Sequence, residues 1–69
     1  MSYSTLSPEI RETAERILTR KQLDVFKLWC GGKSLAESAI ILERSEPTVA
    51  QHLRRAKQLM EIELRKDAA

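Results

Sequence analysis

Three observations predict an all-α chain. Apolar residues recur at three- and four-residue spacing from Ile10 to Leu64, and no stretch shows the strict alternation of a strand. Four helix-start signals punctuate the chain: Ser7-Pro8, Thr19 with Gln22, Ser34 with Glu37, and Ser45 with Pro47. The last two starts lie so close that about three residues remain for the turn between their helices, so this pair must cross steeply. The prediction is a small tri- or tetrahelical helix-turn-helix bundle with a long C-terminal helix, a single domain over residues 1–69. Sixty-nine residues lie near the lower limit for one hydrophobic core.

Residues 1–6 are polar and carry no anchor, so a loose start is expected. The first helix, 8–18, opens on the Ser7 cap with Pro8 at its first position, where a missing N–H costs nothing. Ile10, Ala14, Ile17 and Leu18 give it one apolar face. The second, 20–30, opens on the Thr19/Gln22 capping box and stops at Gly31-Gly32, where glycine takes the left-handed conformation. Its apolar residues fall on two stripes, Val25, Leu28 and Trp29 on one and Leu23, Phe26 and Cys30 on the other. Two stripes require two neighbours: the helix-turn-helix pair and the N-terminal helix. The third helix, 35–42, follows the Ser34/Glu37 capping box. The fourth starts near Glu46 and meets no glycine, second proline or other stop signal before Lys66, giving 46–66. Val49, Leu53, Ala56, Met60 and Leu64 form its core stripe. Val25, Leu28, Trp29, Ala39, Leu42, Val49 and Leu53 are expected to be buried where the last three helices cross, with Phe26 and Cys30 as further core residues.

Charge adds a second reading. The net charge is only +2, but Arg44 to Gln58 holds Arg44, Arg54, Arg55 and Lys57 against Glu46 alone. Local basicity on one helix is what a nucleic-acid binder shows, and also what an ordinary solvated face shows. Position narrows this. At about 100° per residue, Pro47, Gln51, Arg54 and Gln58 lie opposite the core stripe, with Arg55 flanking. Arginine and glutamine make paired hydrogen bonds to guanine and adenine edges in the major groove. Lys33, Ser34, Ser45, Thr48 and the helix N-termini suit phosphate oxygens. His52 sits beside the core stripe, either packed at its edge or on a phosphate.

These residues carry a family resemblance. Leu18-Thr19, Val25, Leu28, Gly32, Ser34, Ala39, Leu42, Ser45, Thr48-Val49 and His52-Leu53 fall at the spacing of the LuxR-type helix-turn-helix domain. The stretch from Thr48 to Lys57 also resembles the promoter-reading C-terminal domain of bacterial sigma factors, which shares that fold. The resemblance covers residues 18 to about 57. It implies a DNA-binding fold whose last helix is the recognition helix, with Gln51, Arg54 and Arg55 in the groove and Thr48 on the backbone. No receiver or ligand domain precedes the motif, so a free-standing reader is expected, a kind common among phage and mobile-element regulators.

Departures from the pattern fall in the third helix and the turn. Glu43 stands where the family carries glycine, and a left-handed residue other than glycine costs about 1 kcal/mol. Arg44 stands where an apolar residue plugs the core. Ser38 replaces an apolar residue, while Ile40 and Ile41 replace polar ones. Either the third helix is rotated or it offers isoleucine to a partner. Leu59 and Ile62, off the core stripe of the fourth helix, make a second candidate partner surface, for a homodimer or for RNA polymerase.

Composition excludes other classes. One cysteine and one histidine provide no disulfide framework and no metal cluster, and no cofactor is expected. No apolar run approaches a membrane span and no signal segment is visible, so a cytoplasmic protein without membrane contact is expected. No nucleophile–base pair is legible. Gly31-Gly32-Lys33-Ser34 lacks the upstream glycine and preceding strand of a P-loop. An enzyme is therefore not expected. The expected function is sequence-specific reading of double-stranded DNA by a transcriptional regulator. The alternative is a protein-interaction module of the same fold that binds RNA polymerase or another regulator.

Overall fold

A computed structural model describes residues 2–68. It contains α1 (Pro8–Ile17), α2 (Arg20–Cys30), α3 (Leu35–Leu42) and α4 (Glu46–Ala68), preceded by a 3-10 turn over Tyr3–Thr5. No strand occurs among the described residues. The caps explain the boundaries. Ser7 Oγ accepts from the Ile10 N–H at 3.4 Å. Thr19 and Ser34 each complete a reciprocal capping box, with Gln22 and Glu37. Both boxes satisfy backbone donors that a helix start otherwise leaves to water.

The two helix ends that shape the helix-turn-helix pair use the same device. After α2, the Gly32 N–H donates to Trp29 O and the Lys33 N–H to Leu28 O, with Gly32 at φ 85°. After α3, the Glu43 N–H donates to Ile40 O and the Arg44 N–H to Ala39 O. Both are Schellman closures, in which one left-handed residue turns the chain back over the last carbonyls. In the second that residue is Glu43, at φ 55° and ψ 46°, as its position in the turn predicts.

Helix α4 packs against all three other helices. Its 23 residues span about 34 Å at 1.5 Å per residue and set the 37 Å long dimension of the molecule. The two stripes of α2 meet two core clusters. Val25 joins Ala39 and Val49, with Leu42 and Leu53 against them. Phe26 joins Ala14, Leu18, Ala56 and Met60, with Leu23, Cys30 and Leu64 around them. Thr13, buried on α1, returns its hydroxyl to Glu9 O at 2.8 Å, so its burial leaves no donor unpaired.

Four expectations are corrected. Trp29 is not a core residue but 43% exposed, because it stands at the outer edge of the α2–α4 contact. Leu28, Cys30, Leu42 and Leu53 are half-buried, since a bundle this thin has few positions covered on every side. The start of the chain is tied down rather than loose. The Tyr3 hydroxyl donates to Arg11 O at 3.2 Å, and its ring meets Phe26 edge-on at 6.3 Å. Met1 lies outside the described residues. Leu59 packs against the α1–α4 core and is no free surface. Boundaries shift by one or two residues: α1 ends at Ile17 and α4 runs on to Ala68.

Helix α3 is not rotated to hide its isoleucines. Ser38 and Ala39 face inward, which leaves Ile40 78% and Ile41 52% exposed. No helix among the described residues is long and apolar enough to cross a membrane.

Candidate nucleic-acid interface

Val49, Ala56 and Met60 are buried, and they fix the rotation of α4. Pro47, Gln51, Arg54, Arg55 and Gln58 consequently stand in solvent on the face turned away from the core. Gln51, Arg54, Arg55 and Gln58 border one shallow depression together with His52 and, from the first turn of α2, Gln22. The Arg55 guanidinium donates to Gln58 Oε1 at 3.5 Å. The face thus presents two guanidinium forks and three carboxamides, the groups that can pair with base edges or phosphates.

The flanks of this face differ. On one side Leu35, at the start of α3, shares a groove with Ala50, Leu53, Arg54, Lys57 and Gln58. That brings the exposed Lys33 and Ser34, its chain neighbours, to this flank. Ser34 is engaged in its capping box: its N–H donates to Glu37 Oε1 at 3.2 Å and its Oγ accepts from the Glu37 N–H at 3.1 Å. The bonds from Ser34, backbone first and hydroxyl second, hold the Glu37 carboxyl below its usual pKa, and Lys33 adds to this. At the start of α4, Ser45 O accepts the Val49 N–H, while Ser45 Oγ lies 2.8 Å from Thr48 Oγ1. The two hydroxyls form one pair at the mouth of the helix.

On the opposite flank are His52 and the first turn of α2. Gln22 reaches the depression although the sequence marks it only as part of a cap. Its periodicity gave no signal, because the contact depends on how α2 crosses α4. Lys57, one cation of the basic cluster, holds its ammonium 4.8 Å from the Trp29 ring centre. Among the described residues no group of His, Cys, Asp and Glu could hold a metal ion.

A helix pair closed by a three-residue turn, with arginines and glutamines on the outer face of its second helix, defines a helix-turn-helix DNA-binding domain of the kind transcriptional regulators use. The family model of bacterial regulatory proteins of the luxR family matches residues 16–69. The chain belongs to the luxR family, and of the two resemblances in the sequence the match falls on this one. No curated protein and no solved structure gives a significant match.

Proposed function

We propose that the chain regulates transcription by reading double-stranded DNA in sequence-specific fashion, with α4 in the major groove. The observation that carries this is the outward face of α4: Gln51, Arg54, Arg55 and Gln58 are exposed together on a helix whose rotation is locked by buried Val49, Ala56 and Met60. A rigid helix is what base readout requires, since paired hydrogen bonds tolerate little misalignment. Gln51, Arg54, Arg55 and Gln58 take the base edges. Pro47 lies on the same outward face at the start of α4, while Lys33 and Ser34 on the α3 flank and Ser45 and Thr48 at the helix start take phosphate contacts, which set register without carrying sequence. The test is the double variant Arg54→Ala/Arg55→Ala, titrated with a DNA site selected from a random pool. A loss of about 1–3 kcal/mol for each base-reading arginine supports the reading. Unchanged affinity with intact circular dichroism removes it.

A second reading is favoured by Ile40, Ile41 and Ile62, which stay 78%, 52% and 51% exposed. Apolar side chains held in water suit a partner surface, whether a second copy that brings two α4 helices to adjacent half-sites or RNA polymerase. Sedimentation equilibrium of the wild type and of Ile40→Glu/Ile41→Glu, free and on DNA, separates these cases.

A further inference from the structure

Between α2 and the first turns of α4, where α3 ends, lies a crevice of about 110 Å³. Its floor is apolar: Val25 and Val49, both buried, and Leu42. Its rim is charged and comes from three elements: Lys21 and Asp24 on α2, Arg44 in the turn, and His52 on α4. His52 also borders the depression of the proposed reading face, so crevice and face are contiguous.

We infer that Lys21, Arg44 and His52 form a clamp for one phosphate of the DNA backbone, on the strand that runs along this flank of α4. The inference rests on the DNA reading proposed above and adds a site to it. Three features carry it. First, Arg44 is positioned rather than free at its root. Its N–H is bonded to Ala39 O at 2.9 Å and the preceding residue is fixed in the left-handed turn. Its stem therefore leaves the backbone at a set point over the crevice. Second, the crevice gathers two permanent cations against one carboxylate, and among the described residues no ion pair joins Asp24 to Lys21 or Arg44. Third, a helix lying in the major groove has a phosphate strand along each side. Lys33 and Ser34 stand on the α3 side; Lys21, Arg44 and His52 supply the α2 side. Phosphate contacts on both sides hold the helix in the groove and carry no sequence information themselves.

The floor gives the proposal an unusual test, because Arg44 serves binding at the expense of packing. Arg44→Val lays an apolar side chain on Val25, Leu42 and Val49. The melting temperature is expected to rise while DNA affinity falls. Binding measured by fluorescence anisotropy across a salt series should lose about one unit of slope in log affinity against log salt. The ratio of affinities for the selected site and for random DNA should stay near the wild-type value, since a phosphate contact is blind to sequence. Arg44→Gln, which keeps the length without the charge, should lose the same slope, and Arg44→Lys should retain it. Asp24→Asn should raise the affinity for both DNAs. A wild-type slope in Arg44→Val and Arg44→Gln overturns the clamp alone. An altered sequence preference in Arg44→Gln overturns it too, since the residue would then be reading a base. A wild-type protein without salt-dependent affinity for either DNA overturns the DNA reading and the clamp with it.

Discussion

The ammonium of Lys57 stands 4.8 Å from the centre of the Trp29 indole ring, and this contact joins the C-terminal half of α2 to the middle of α4. Trp29 also leans on Phe26, ring centres 5.9 Å apart and planes tilted by 40°, so the indole touches both a core ring and the cation. A cation over an exposed aromatic ring contributes about 0.5–1 kcal/mol. Lys57→Ala is expected to lower stability by that amount in a urea titration. Trp29→Ala should cost more, because it also removes the ring packed on Phe26. The double variant should be less destabilised than the sum of the two, the mark of a direct contact.

Burial ranks the core variants. Met60 is 4% exposed between α1 and α2, whereas Leu53 is half-buried. Met60→Ala is expected to cost about 2–5 kcal/mol, and Leu53→Ala to fall at or below the lower end of that range. Ile62→Ala, with its side chain half in water, should stay within about 0.5 kcal/mol of the wild type. Denaturant midpoints for the three variants check the order.

Glu43 holds the left-handed position of the turn with a side chain that favours other conformations. Glu43→Gly removes a strain of about 1 kcal/mol, part of which is returned through the greater freedom of glycine in the unfolded chain. A rise of a few degrees at most in the melting temperature is expected. A fall would mean that the Glu43 side chain stabilises the turn in its own right.

The Glu37 carboxyl, bonded to Ser34, has its pKa lowered in the folded chain. A depressed carboxyl stabilises the fold fully above its unfolded pKa and loses that contribution as pH falls through the folded value. Thermal melts of the wild type should therefore drop across the acid range below the usual carboxylate pKa. In Glu37→Gln, which can still accept from the Ser34 N–H, that part of the drop should be missing. Equal pH profiles would show that the carboxylate charge contributes nothing to the cap.

Helix starts, the glycine stop after α2 and the rotation of α4 were legible in the sequence because they are local, whereas the rotation of α3 was open. A capping box, a proline in the first turn or a left-handed closure involves residues no more than five apart. The period of Val49, Leu53, Ala56, Met60 and Leu64 likewise states which side of α4 faces in, and therefore which side carries Gln51, Arg54 and Gln58 outward. How deep each apolar residue lies was decided only by which neighbour reached it. Trp29 has the composition of a core residue, but Phe26 and Lys57 cover only part of it and leave 43% exposed. Leu59 lies off the core stripe, yet it packs into the cluster that α1 and α4 share. Tyr3 belongs to a polar leader and is anchored by Arg11 and Phe26 across a gap the sequence does not show. The crevice beneath Arg44 has the same origin. Its floor and rim come from α2, the end of α3, the turn and α4, and only the crossing of the helices sets them side by side. Local bonding is written in neighbouring residues, whereas burial depends on the solvent that distant segments exclude.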